Sequence, residues 1–189
     1  MRTDYYKTKA SVAEYIELAK YVSGKDLIEK LKPFLPDTAS LLEIGSGPGT
    51  DWNLLNTTYN VVGSDNSEVF LKHLTTHNPT GEFLLLDAIT LDTDKKFDGL
   101  YANKVLHHLT NDELLASIKQ QVGLLNTNGV ICFSFWKGEG SEMFKGMFVN
   151  YHTKNSLSSF FEANFEILLL ESYQEFEADD SLLLIAKKK

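Results

Sequence analysis

Apolar side chains recur at Val12, Tyr15, Ile16, Ala19 and Tyr21, and again at Leu27, Ile28, Leu31 and Phe34. That is the spacing of one helical face, so helix is predicted over 11–34, interrupted at Ser23-Gly24 and ended by Pro36. From residue 41 the pattern changes. Short unbroken apolar runs at 41–45, 60–65, 82–87, 97–103 and 129–136 predict strands, and helical spacing at 48–58, 67–76, 111–125 and 153–164 predicts helices. Pro48 suits a first helical position, and Asn111 is a candidate cap with Asp112 and Glu113 in the first turn. Strands alternating with helices predict an α/β domain with a mostly parallel sheet and helices on both faces. The runs are continuous rather than alternating because a parallel strand is buried on both sides. Two final strands, 165–174 and 181–188, are joined by a short acidic loop with no room for a helix, so they pair as an antiparallel hairpin. The expectation is seven strands with an antiparallel last strand.

Length and composition narrow this to one domain. The chain has 189 residues, 43% apolar and 23% charged, which is ordinary for a folded globular protein. Residues 1–36 are expected to form an N-terminal helical cap, and 137–153 a lid-like insert. A net charge of −8 opposes a polyanionic partner, so no nucleic acid is expected. The one cysteine, Cys132, lies inside an apolar run, which rules out a disulfide within the chain and predicts a small buried side chain. No apolar stretch is long enough for a membrane span or a secretory signal, and a cytoplasmic protein is the expectation.

In an open parallel sheet ligands bind beyond the carboxyl ends of the strands. After the first strand stands "LLEIGSGPGTD", with Glu43 two residues ahead of Gly45, then Gly47 and Gly49. A dinucleotide loop places its third glycine one residue later, where this chain has Thr50. The loop is either a tight strand-to-helix turn or a floor passing close beneath a ligand. After the second strand, Asp65 either caps a helix or accepts hydrogen bonds from a ribose. After the third, Asp87 is either a turn former or an acceptor for an adenine amine, with Ala88 at the base edge. After the fourth stands "ANKVLHHL", with Asn103 and Val105 beside the ligand.

In this order and spacing the motifs resemble those of the class I S-adenosylmethionine-dependent methyltransferases. The segments that carry the likeness are "LLEIGSGPG", "VVGSD", "LLLDAITLDTDKKFDGL", "VLHHL" and "LLNTNGVICFSFW". The resemblance implies a Rossmann-like, doubly wound sheet and S-adenosyl-L-methionine as cofactor. It implies that Glu43 steadies the loop and the cofactor's amino group, and that Gly45, Ser46, Gly47 and Gly49 lie under the methionine. Asp65 would hold the ribose, Asn66 or Ser67 would sit near the adenine, Asp87 and Ala88 would meet the adenine amine, and Asn103 and Val105 would flank the sulfonium. Electrostatics agrees, since Glu43 would repel a pyrophosphate but tolerates a phosphate-free, cationic cofactor.

Methyl transfer needs mainly positioning, and a base only for a protonated nucleophile. His107 and His108 are the candidates. Tyr15, Trp136 and Tyr151 are candidate substrate contacts. The short chain favours a small-molecule acceptor, in a monomer or homodimer, with no metal expected. Two alternatives stand beside this reading: a non-catalytic cofactor-binding protein, and a nicotinamide oxidoreductase, which the glycine spacing and the missing Tyr-x-x-x-Lys pair disfavour.

Overall fold

A computed structural model describes residues 5–189; residues 1–4 of the expected cap lie outside the described residues. In chain order the helices are α1 (Lys9–Leu18), α2 (Lys25–Leu31), α3 (Thr50–Leu55), α4 (Glu68–His77), α5 (Asn111–Leu124) and α6 (Lys154–Phe161). The strands are β1 (Ser40–Ile44), β2 (Asn60–Asp65), β3 (Glu82–Leu85), β4 (Phe97–Asn103), β5 (Leu125–Trp136), β6 (Ser141–Phe144), β7 (Met147–Asn150), β8 (Phe165–Tyr173) and β9 (Ser181–Lys188).

Seven strands form one sheet in the order β3-β2-β1-β4-β5-β9-β8. Strands β1 to β5 run parallel, and β9 is antiparallel to both β5 and β8. The hairpin is therefore present as expected, but its second strand inserts between β5 and β8, which leaves β8 at the edge. Winding proceeds outward from β1 to β3 and then crosses back to β4. The order thus reverses between β1 and β4, and a crevice opens above their carboxyl ends.

Neighbouring residues along each strand serve opposite faces, which explains the unbroken apolar runs. Leu42, Leu100, Ile131 and Leu184 pack with α5 and α6 through Leu114, Ile118, Leu157 and Phe161. Leu41, Tyr101, Cys132 and Leu183 pack on the other face with α2 and α3 through Leu27, Leu31, Trp52 and Leu55. Burying each large side chain of this kind contributes about 1.5–3 kcal/mol relative to exposure.

Several helix boundaries differ from expectation. α3 begins at Thr50, because Gly49 is its N-cap with φ of +86° and Pro48 belongs to the turn. α5 is capped by Thr110, one residue before Asn111, through a capping box with Glu113. The first helix ends at Leu18, ahead of the expected break at Ser23-Gly24. α4 starts at Glu68, one residue inside the expected 67–76, and is capped by Ser67, whose hydroxyl accepts from the Phe70 amide at 3.3 Å. Asp65 is thereby left free of that task.

The insert after β5 is an ordered hairpin of β6 and β7. Lys145 and Gly146 form its two-residue turn, both with positive φ (47° and 78°), as such turns require. Its inner strand is tied down where the Asn150 amide donates to the Leu109 carbonyl at 3.2 Å and to Asn111 at 2.8 Å.

Candidate functional site

The floor of the crevice is the loop between β1 and α3. Gly45 and Gly47 have φ of +73° and +48°. A Cβ on Gly45 would lie 2.5 Å from Val105, so this glycine lets the two strand ends close together. A Cβ on Gly47 would meet nothing nearer than Tyr15 at 3.9 Å, so here the absent side chain opens space above the loop. Ser46 ties the loop to β2, since its hydroxyl accepts from the Ser64 amide at 3.1 Å and its own amide donates to the Ser64 carbonyl at 2.7 Å.

Four carboxylates stand around this floor. Asp65 accepts from the Gly47 amide at 3.0 Å and the Ser67 amide at 2.9 Å. It lines the larger cavity, and burial pushes its carboxyl up to about 6 against the pull of those amides. Asp87 accepts from the Ile89 amide at 2.8 Å and lines the same cavity with Asn66 and Ala88. Glu43 lies below the loop, 3% exposed, with Oε2 unpartnered. Burial, and then the Asp51 charge, push its carboxyl up to about 8. Asp51, which ends the stretch "LLEIGSGPGTD" and to which the motif assigns no role, lies at the site. Its carboxylate accepts from the Gly24 amide at 2.6 Å, the Tyr101 hydroxyl at 2.8 Å and the Asn103 amide at 2.9 Å.

That last contact begins a chain fixing the end of β4. The Ser134 hydroxyl donates to Asn103 Oδ1 at 2.5 Å and accepts from the Lys104 amide at 2.9 Å. Both ends of the Asn103 side chain are thus engaged. Gly24, at the bend between α1 and α2, closes the network against the N-terminal cap. A Cβ there would lie 2.0 Å from Tyr101 Oη and 2.5 Å from Asp51 Oδ2. Gly24→Ala is therefore expected to destabilise the fold by about 2 kcal/mol, the usual cost of forcing one methyl into a packed interior. Urea titration would measure it, and an unchanged midpoint would mean that the cap is not held against Tyr101.

Two adjoining cavities lie over the carboxyl ends. The larger, about 660 Å³, runs from Asn66 and Asp87 to His108 and Phe148. The smaller, about 350 Å³, runs from Glu43 and Pro48 to Trp136 and Phe176. Tyr15, Gly45, Gly47, Asn103 and Lys104 line both. Tyr6 roofs the larger one, edge-on to Tyr15 with ring centres 5.3 Å apart. Its carbonyl accepts from the Ser67 hydroxyl, which pins the roof to the start of α4.

Most residues expected at the site meet here. Val105 lines the larger cavity, Ser46 and Trp136 the smaller, and Tyr15 both. Three do not reach a cavity. Gly49 serves as the α3 cap. Tyr151 points to the outer strand of the hairpin, where its hydroxyl donates to Glu142 at 2.5 Å. His107 turns into the protein, 4% exposed, and burial keeps it well below the usual histidine range. His108 faces the larger cavity. Its Nδ1 lies 2.8 Å from the Phe148 carbonyl, which can only accept, so the proton sits on Nδ1 and the Nε2 lone pair faces Tyr6 Oη at 3.5 Å.

Residues 41–129 match the family described as a methyltransferase domain. Trans-aconitate 2-methyltransferase of Variovorax paradoxus (strain S110) is 36% identical over 85 residues, covering 43% of this chain and 33% of that protein. The shared stretch therefore spans about a third of that relative's length. A SAM-dependent methyltransferase of Methanosarcina mazei superposes with a TM-score of 0.74 at 18% identity, over 84% of this chain and 96% of that one. The N-methyltransferase NodS of Bradyrhizobium japonicum WM9, in complex with S-adenosyl-L-homocysteine, gives 0.74 at 14% identity, over 98% and 99%. At these identities the structural likeness is one of fold.

Proposed function

We propose that this chain, whose residues 41–129 match a methyltransferase domain and whose fold is shared with solved methyltransferases, is a class I methyltransferase that binds S-adenosyl-L-methionine across the two cavities and transfers the methyl group to a small-molecule acceptor. One observation carries this reading above the rest. A buried glutamate, Glu43, faces a cavity with one carboxylate oxygen unpartnered. Ionising a buried acid of that kind is costly unless a cation arrives. An ammonium group supplies one, and a pyrophosphate would be repelled.

The other residues fit the same cofactor. Asp65 keeps free lone pairs toward the larger cavity and can accept from ribose hydroxyls. Asp87 can accept from an exocyclic amine, with Ala88 against the ring. Asn103, fixed at both ends, holds its place beside the shared wall of the cavities. When bound, S-adenosylmethionine supplies a methyl group already activated on a sulfonium. The protein then has to position the acceptor and exclude water, which falls to Tyr6, Tyr15 and the β6–β7 hairpin. We assign that hairpin, within 137–153, as the lid, and residues 1–36 as the cap. His108 is the base where the acceptor carries a proton: Nδ1–H is anchored on Phe148, the Nε2 lone pair faces the Tyr6 hydroxyl at the larger cavity, and burial holds the ring below its usual range and so neutral at pH 7. His107 has no path to the acceptor in this conformation.

A cytoplasmic setting and a small-molecule rather than nucleic-acid partner accord with the net charge of −8 and the cavity sizes. No helix among the described residues is long and apolar enough to cross a membrane.

Calorimetry tests the reading directly. S-adenosylhomocysteine is expected to bind at micromolar concentration, on the order of −8 kcal/mol, and NADH not at all. Methyl transfer from labelled cofactor across a metabolite panel then separates an enzyme from a protein that only binds. Tight NADH binding without S-adenosylhomocysteine binding would overturn the assignment.

A further inference from the structure

We propose that Lys104 is the anion receptor of the acceptor site, and that the acceptor is a small organic acid with an apolar body. The inference rests on the methyltransferase reading and adds the substrate's chemical class to it.

Lys104 sits at the first position after β4 with φ of +54°, a left-handed conformation that a lysine keeps only where its surroundings impose it. Here the Lys104 amide is bound to the Ser134 hydroxyl. The bend sends the side chain away from the sheet axis and across the top of β5. Its Nζ donates to the Ser181 hydroxyl at 2.6 Å and the Phe135 carbonyl at 3.2 Å, and stands 3.4 Å from the Trp136 ring centre. Each of these partners suits an ammonium, and the indole face suits a charged one above all.

Among the described residues no carboxylate lies within ion-pair distance of this cation. Its two acidic neighbours, both near the β8–β9 turn, are committed elsewhere. Asp180 accepts the amides of Glu175, Phe176 and Glu177 and the Ser181 hydroxyl. Glu175 accepts the Tyr173 hydroxyl at 2.9 Å. Burial lowers the Lys104 ammonium to about 8 despite both acids, so it remains mostly charged at neutral pH. Asp180 reaches the ammonium only through the Ser181 hydroxyl, so a half-buried charge with no direct carboxylate partner among the described residues stands on the wall of two cavities, where an anion can meet it.

The surroundings define the rest of the ligand. Leu18, Phe144 and Phe176 come from three separate elements, line the smaller cavity and are 60%, 54% and 63% exposed. They make an apolar rim around an interior that holds Lys104 together with Glu43, Asp51 and Glu175, of which Asp51 and Glu175 already accept hydrogen bonds from the protein. A carboxylate on Lys104 with hydrocarbon against that rim satisfies both. An anion there would also lie between two cations, the ammonium and the sulfonium of a bound cofactor, and both would attract it.

A carboxylate could come from the acceptor or from the cofactor's own amino acid, and the test separates the two. Benzoate and hexanoate, with benzamide and hexanamide as neutral controls, are titrated into protein saturated with S-adenosylhomocysteine. Wild type is expected to bind each acid about tenfold more tightly than its amide. Lys104→Gln keeps a donor for Ser181 and removes the charge; it should bind acid and amide alike, with a melting curve like that of the wild type to certify its fold. Lys104→Arg should restore part of the preference for the acid. Equal binding of acid and amide by wild type would overturn the proposal. So would a Lys104→Gln protein that loses S-adenosylhomocysteine but keeps 5′-methylthioadenosine, because the anion would then be the cofactor's. Failure of wild type to bind S-adenosylhomocysteine would instead remove the reading beneath it.

Discussion

Asp65→Ala is expected to weaken S-adenosylhomocysteine binding by about a hundredfold, on the order of 3 kcal/mol, as two charge-assisted hydrogen bonds would cost. Asp65 does two things at once. It holds the glycine loop through the Gly47 amide at 3.0 Å and the start of α4 through the Ser67 amide at 2.9 Å, and it turns its remaining lone pairs to the larger cavity. Alanine would remove the proposed ribose acceptor and release the loop. Asp65→Asn is nearly as damaging, because one face of its side chain then presents N–H groups to a backbone N–H. The wild-type carboxyl, pushed up to about 6 chiefly by burial, adds a pH signature. The ionised form accepts from hydroxyls on both oxygens, so affinity is expected to fall as pH drops below about 6. Calorimetry from pH 5 to 8 reads both effects. Unchanged affinity in Asp65→Ala, with a normal melting curve, would remove Asp65 from the ribose site.

The position of Asp65 is legible in the sequence, but its role is not. "VVGSD" reads as a strand ending in an acid, and residues 67–76 read as a helix, yet the same letters fit a helix cap. Ser67 takes the cap, and only the folded chain shows it. The sheet is legible because its signal is local: each apolar run is short, continuous and bounded. The insertion of β9 between β5 and β8 is not, because hairpin geometry says which strands pair and not which of the two then faces β5. His107 and His108 are adjacent in sequence and opposite in environment. The short helical turn Leu106–His108 buries the first and opens the second, and no spacing rule separates them. Lys104 gives no local signal because its partners lie far along the chain, at Phe135, Trp136 and Ser181. Asp51 and Tyr101 are silent for the same reason: each reads as an ordinary helix or strand residue until Gly24 brings the cap against them.

Glu43→Gln is expected to stabilise the ligand-free protein at pH 8 and to weaken cofactor binding, two opposite effects with one cause. Burial and the neighbouring Asp51 charge push the Glu43 carboxyl up to about 8 from its ordinary value of 4.5. A carboxyl with a raised folded pKa holds its proton longer when folded than when unfolded. Its contribution is therefore fully present below about pH 4.5 and lost as pH rises to about 8, at up to about 1.4 kcal/mol per unit. Glutamine carries no proton to lose, so that slope should flatten, and thermal melts of the ligand-free protein at pH 5, 6.5 and 8 would show the two curves separating upward. Binding runs the other way. An ammonium beside Glu43 favours the ionised form, so at pH 7 the wild type should release up to about one proton when S-adenosylhomocysteine binds. Glutamine should release none and bind about tenfold more weakly, having lost a charged acceptor. Calorimetry in buffers of different ionisation enthalpy counts that proton. Equal proton release by both proteins would mean that Glu43 does not meet the cofactor's amino group, and the buried acid would need another partner.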